Sequence, residues 1–239
     1  MLTGRLVGLR PMRADDLDFL AELANTTAVR THVVGWDWPV APDAQREWFP
    51  HALRDPRNRR LTVTEASTDR PVGLTGLWDV DWHNRSALTA VKLMPGLAPK
   101  GAGSDSIKLV MAWSFHEVGL RRLHSTILDF NAASLGAYVR KCGWRVEGRD
   151  REAVFRHGAW HDLVRVAVLA PEFDALPDAA EYVERVCGPR PTAQPADRSA
   201  SDRPVAGLPS QPDTPRPLRP TRLSSVPTPA SNGRREAGR

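Results

Sequence analysis

Lys100-Gly-Ala-Gly-Ser-Asp-Ser-Ile-Lys-Leu-Val-Met-Ala-Trp-Ser-Phe115 is the stretch from which the rest of the chain can be read. Ile107, Val110, Met111, Ser114 and Val118 recur at helical spacing, and Gly119 stands where a C-terminal glycine belongs, so the pattern predicts a helix over Ser104 to Val118. Ahead of it lies Pro95-Gly-Leu-Ala-Pro-Lys-Gly-Ala-Gly-Ser104, whose glycines let the backbone turn several amides toward one point. Helix starts leave N–H groups unpaired and carry partial positive charge, so a phosphate could rest on the amides of Gly101, Ala102, Gly103 and Ser104 beside Lys100. A tight strand-to-helix turn needs glycine with or without a ligand, so the loop alone leaves a purely structural role open. A Walker loop is excluded, because Gly-x-x-x-x-Gly-Lys-Ser/Thr does not occur here. A dinucleotide-binding loop is the nearer rival, but the chain offers no succession of parallel β-α-β units to build its crevice.

On the N-terminal side, three runs read as an antiparallel meander. They are Leu61 to Ala66, Val72 to Asp79 and Ser86 to Met94, with turns at Thr68-Asp-Arg-Pro71 and His83-Asn84. Before them, Leu6 to Arg10 alternates like a strand, and Leu17, Leu20, Ala21 and Ala24 form a helical stripe opened by Ala14-Asp15-Asp16. A second helix is expected from the capping Asp43 through Trp48 and Leu53. On the C-terminal side come a strand, Leu123 to Phe130, and a helix, Ala132 to Lys141, stopped by Gly143. Two last strands follow, Trp144 to Val154 and Trp160 to Leu169, joined at His157-Gly158. The order β-α-α-β-β-β-α-β-α-β-β gives an α/β (α+β) class. Its central sheet is mixed but mostly antiparallel, of about seven strands flanked by helices, with a single central β-α-β unit.

The 239 residues, 41% hydrophobic and 26% charged, suit one globular domain with extensions. It is expected over residues 1–174, followed by a short helix within 175–187 and a disordered Pro/Arg/Ser-rich tail over 188–239. The net charge of +5 resides in that tail, where nine arginines face four acidic residues, so the domain is formally neutral. Nucleic-acid contact is therefore at most a weak tethering by the tail. No run is apolar enough to span a bilayer and the start lacks a signal-peptide pattern, so a cytoplasmic protein without membrane contact is expected. Cys142 and Cys187 lack zinc spacing and read as reduced thiols, and no metal is expected.

Several segments, in order, resemble the GNAT acetyltransferases, particularly the branch of ribosomal-protein N-terminal acetyltransferases. They are the acyl-CoA loop Ala98-Pro-Lys-Gly101-Ala-Gly103, Trp82-His-Asn-Arg85, Glu117-Val-Gly-Leu-Arg-Arg122, Asn131-Ala-Ala-Ser134, Lys141-Cys-Gly-Trp-Arg-Val-Glu-Gly148 and Gly158-Ala-Trp-His-Asp162. The likeness runs from Gly8 to Phe173. It implies acetyl-CoA held between two splayed strands and direct attack by a primary amine, without a covalent enzyme intermediate. Three features depart from the family pattern. Ala98 replaces the usual Gln or Arg, Asp105 replaces Glu, and Ser134 to Gly143 is one residue longer than usual, an excess that a π-bulge commonly absorbs. The first two would lower CoA affinity, and the third would rotate Tyr138.

The resemblance assigns the backbone of Leu93 and Met94 to the pantetheine arm, with an amide there polarising the thioester carbonyl. Asn131 would bond the same arm, cap the next helix, or do both. Tyr138 would protonate the departing thiolate or serve as a packing residue. Ser86-Ala-Leu-Thr-Ala-Val lacks the glutamate many relatives carry, which leaves Asp79, Asp81 and His83 as base candidates, each also readable as a turn or surface residue. Trp36, Trp38, Trp78 and Trp82 fall in the two regions that border the acceptor side in the family, which implies that they would line its pocket. The expected acceptor is a peptide or protein N-terminus. An amine-bearing small molecule is the alternative, and a catalytically weak CoA-binding module is the rival from another class.

Overall fold

The computed structural model describes residues 1–189, so the expectations for the basic tail lie outside the described residues. In chain order the elements are β1 (Leu2–Thr3), β2 (Val7–Pro11), α1 (Leu17–Asn25), α2 (Thr27–Arg30), α3 (Pro42–Arg54), β3 (Arg59–Glu65), β4 (Pro71–Asp81), β5 (Ser86–Thr89) and β6 (Lys92–Leu93). They continue as α4 (Ala102–Ala112), β7 (Arg122–Leu128), α5 (Ala132–Leu135), β8 (Arg145–Arg156), β9 (Ala159–Leu169), α6 (Ala170–Asp174) and α7 (Ala179–Cys187). π-helical turns extend α4 through Trp113–Glu117 and α5 through Gly136–Lys141. The strands form one sheet in the order β1-β2-β3-β4-β5-β7-β9-β8, with β6 also on β4. Every pairing is antiparallel except β5 with β7.

The sheet has nine strands rather than about seven. One addition is β1, too short to show a period of two. The other arises because the expected run Ser86 to Met94 is broken between Thr89 and Lys92. Two hydroxyls replace ladder bonds at that break: Thr75 Oγ1 donates to the Ala90 carbonyl at 2.9 Å and Thr89 Oγ1 to the Gly76 carbonyl at 2.7 Å. Gly76 sits at φ 146°, and a Cβ there would lie 2.0 Å from the Arg59 carbonyl oxygen, so only glycine fits.

The larger apolar core gathers Leu109, Val110 and Met111 of α4 with the sheet residues Val7, Val63, Leu123 and Val166. Phe173, Ala179 and Tyr182 belong to the same core, so α6 and α7 pack on the domain. A smaller core joins Leu20 and Leu23 of α1, Val29 of α2 and Ala52 of α3 to Leu74 and Met94.

A buried ion pair fixes where α1 begins. Arg10 Nη1 and Nη2 donate to the Asp16 carboxylate at 2.7 and 2.9 Å, and the Arg13 amide and the Thr62 hydroxyl each add a bond at 2.8 Å. Burial disfavours the Asp16 charge, but these donors outweigh it and hold its carboxyl below the usual range. A depressed folded-state pKa means that the contribution is complete above the unfolded value near 3.8 and is lost as pH falls through the folded one. Asp16→Asn is expected to cost about 3 kcal/mol by leaving Arg10 poorly paired, and to flatten the acid limb of the stability profile. Urea unfolding of both proteins between pH 3 and about pH 7 checks both effects.

Candidate active site

The parallel pairing of β5 with β7 lasts only from Ser86–Leu88 against Arg122–His124. Beyond it β7 continues on β9 as far as Leu128, while the other chain lifts off at Ala90 and Val91. The two therefore part. The gap is a cavity of about 310 Å3, with Ala90, Val91 and Lys92 on one side and Ser125, Thr126 and Ile127 on the other. Asn131, Ser134 and Tyr138 line it as well, and they also line a second cavity of about 430 Å3 that reaches Gly103. A continuous cleft thus runs from the start of α4 to the strand break.

At the α4 end, Gly101 is the N-cap with φ 98°, a left-handed conformation suited to glycine. The Ala102 amide is turned back to the Pro99 carbonyl at 3.0 Å, so it does not face an anion with its neighbours as the sequence suggested. The amides of Gly101, Gly103 and Ser104 have no backbone acceptor among the described residues, and Lys100 is exposed beside them. Asp105 has donors of its own within the protein. Its carboxylate is 4% exposed and accepts from the amides of Arg5, Leu6 and Val7 at 3.2, 2.7 and 3.0 Å, and from the Tyr182 hydroxyl at 2.6 Å. These bonds join the β1–β2 turn and α7 to α4. Burial and the neighbouring carboxylate raise the Tyr182 phenol well above its ordinary value.

Tyr138 lies within the π-helical turn, which takes up the extra residue of this segment. The side chain is 4% exposed, packs edge-on to Trp144 at 4.8 Å, and carries a buried hydroxyl without a hydrogen-bond partner. Burial drives its pKa well up. The phenol is therefore a neutral donor across the physiological range. An orphaned buried donor in a cleft has a net cost that a ligand can remove.

The Met94 amide donates to the Val72 carbonyl at 2.8 Å, so it belongs to the sheet and cannot pair with a ligand, contrary to expectation. Strand alternation turns the Leu93 amide of β6 the other way, toward the cleft that Leu93 lines. Asn131 caps α5, its Oδ1 accepting from the Ser134 amide at 3.1 Å, and it lines the cleft as well. Of the base candidates, Asp79 lines the cleft but is exposed and paired with Arg57 at 3.1 Å. Asp81 instead closes a turn, accepting from the Asn84 amide and side chain at 2.9 and 2.7 Å, which lowers its pKa. His83 is exposed on that turn and lines neither cavity.

A third cavity of about 420 Å3 adjoins the gap through Trp36, Trp78 and Lys92. Trp36, Trp38 and Trp78 all line it, Trp38 at its rim and 83% exposed. Trp82 does not join them: it projects from the β4–β5 turn, 53% exposed. Trp48 of α3 takes the place the sequence gave to Trp82, and Lys92 and Arg60 add two cations that sequence reasoning missed. A lysine interrupting Val91-Lys-Leu-Met94 was the available signal for Lys92, whereas nothing in the pattern of β3 distinguished Arg60. Among the described residues no cluster of His, Cys, Asp and Glu could hold a metal ion, and no helix is long and apolar enough to cross a membrane.

Comparison with known proteins agrees with this geometry. The family described as "Acetyltransferase (GNAT) domain" matches residues 6–145. The chain is 24% identical to the spermidine N(1)-acetyltransferase of Escherichia coli (strain K12) over 173 residues, 72% of this chain and 91% of that protein. It is 23% identical to the SPbeta prophage-derived uncharacterized N-acetyltransferase YokL of Bacillus subtilis (strain 168) over 172 residues, 72% of this chain and 94% of that protein. Among solved structures, the spermidine N-acetyltransferase of Vibrio cholerae in complex with CoA and spermine superposes with a TM-score of 0.64 at 24% identity, covering 70% of this chain and 97% of that one. That likeness establishes a shared fold.

Proposed function

Since the chain belongs to the GNAT acetyltransferase family, with acetyl-CoA as its acyl donor, we propose that it acetylates the primary amine of a small molecule entering through the tryptophan-lined cavity. The amides of Gly101, Gly103 and Ser104 receive the pyrophosphate, as helix starts do. The Leu93 amide and Asn131 steady the pantetheine arm along the cleft. The Val91 amide then faces the thioester carbonyl and takes the charge that develops on its oxygen. The amine attacks the carbonyl carbon, a C–N bond forms, and the C–S bond breaks. Tyr138 gives its proton to the departing thiolate. The surplus ammonium proton leaves to water at the mouth of the cleft, beside Asp79. Tyr138 regains a proton from solvent, so nothing remains bound to the protein.

One observation favours a small molecule over the peptide or protein N-terminus suggested by the resemblance to the ribosomal-protein branch. The acceptor side is a walled cavity of about 420 Å3, within the range of small-molecule sites. The relatives named as spermidine acetyltransferases support a small amine too. Two free thiols, Cys142 and Cys187, support a reducing, cytoplasmic setting. A thiol-release assay comparing small amines with N-terminally free peptides tests the reading. Small amines are expected to give the higher kcat/KM, and faster turnover of peptides would restore the protein acceptor.

A further inference from the structure

Lys92 lies where the three cavities meet: it lines the cleft beside Val91 and Tyr138 and also the tryptophan-walled cavity beyond. Its ammonium sits 4.3 Å from the centre of the Trp78 ring and 5.1 Å from that of Trp36, and it forms no ion pair among the described residues. Arg60 enters the same cavity over Trp48 at 5.2 Å. Its nearest carboxylate, Asp55, is 4.0 Å away and is already used by the Arg57 amide and the Asn58 side chain. One Arg60 amino nitrogen, Nη1, is buried without a hydrogen bond. The one acidic residue lining this cavity, Asp37, is bound to Arg156.

The acceptor cavity therefore has aromatic walls, two cations and no free carboxylate. Burial and the nearby Arg60 charge hold the Lys92 ammonium down to about 8, which marks a site short of negative charge. A polyamine would add like charge to it. An anion would relieve both cations, and because Lys92 also borders the reacting cleft, that anion must lie close to the attacking amine.

Building on the acetyl-transfer reading, we propose that the acceptor is an α-amino acid with an apolar or aromatic side chain. Lys92 holds its carboxylate within the positive field of Arg60, and its side chain lies among Trp36, Trp48 and Trp78. The relatives' polyamine is then the wrong charge class for this chain.

Two measurements test the assignment. In turnover, kcat/KM is compared for L-phenylalanine, L-phenylalaninamide and spermidine. The acid is expected to exceed both others at least about tenfold, although the amide is the better nucleophile at neutral pH, since its amine is the more acidic. Lys92→Met and Arg60→Met should each shrink the acid-to-amide ratio toward one, and general damage to the site cancels in a ratio. In binding, the products N-acetyl-L-phenylalanine, its amide and N-acetylspermidine are titrated against the intrinsic tryptophan fluorescence. The acid alone is expected to quench it at low concentration. Equal or better use of the amide or spermidine, or a ratio unchanged in both variants, would overturn the proposal. Failure of acetyl-CoA to bind in calorimetry would instead overturn the acetyl-transfer reading, and the product titration would still report on the cavity.

Discussion

Gly103→Asp is expected to abolish acetyl-CoA binding, raising Kd more than a hundredfold in calorimetry, while the protein still folds. Gly103 lies in the first turn of α4 and lines the cleft. A Cβ added there would meet Leu93 Cδ1 at 3.8 Å, an ordinary contact, so the loss would not come from crowding. It would come from charge. A carboxylate about 5 Å from one phosphate charge costs about 3 kcal/mol at an effective dielectric near 20, enough for the hundredfold. Gly103→Ala is the control, expected to bind acetyl-CoA within a few-fold of the original. Retained binding by the aspartate variant would move the pyrophosphate elsewhere.

Tyr138→Phe is expected to lower kcat by about a hundredfold or more, the range of a positioned general acid, with the Kd for acetyl-CoA nearly unchanged. The same change should stabilise the free protein. The Tyr138 hydroxyl is buried and unpartnered, so deleting it removes a desolvation cost of about 1 kcal/mol and raises Tm by roughly 2–4 °C. Slower but more stable is the signature of a group kept for chemistry. A variant that is less stable and equally active would make Tyr138 a packing residue.

Much of the fold could be read because its long elements obey simple periods. Ile107, Val110, Met111 and Ser114 are buried as the helical spacing of α4 required, and β4, β7 and β9 lie within a residue or two of the apolar runs read as strands. What escaped depends on partners distant in sequence. The break between Thr89 and Lys92 is made by Thr75 and Gly76 of the neighbouring strand, which no local pattern reveals. The role of Asp105 in joining distant segments was hidden because its partners, Arg5 to Val7 and Tyr182, lie about a hundred and 77 residues away in the chain. The sequence pointed to Trp82 rather than Trp48, and only the folded placement of α3 set Trp48 inside the cavity and left Trp82 in solvent. The extra residue before Gly143 was visible, and so was its remedy, but not the direction in which Tyr138 would point.

Direct transfer within the cleft is tested most squarely by following acetyl-CoA carrying a labelled acetyl group through turnover with and without an amine acceptor. The expected result is label in the amine in step with free CoA thiol, none on the protein, and loss of both signals in Gly103→Asp. Bound acetyl-CoA that releases no thiol to any amine would contradict catalysis and leave a CoA-binding module in its place.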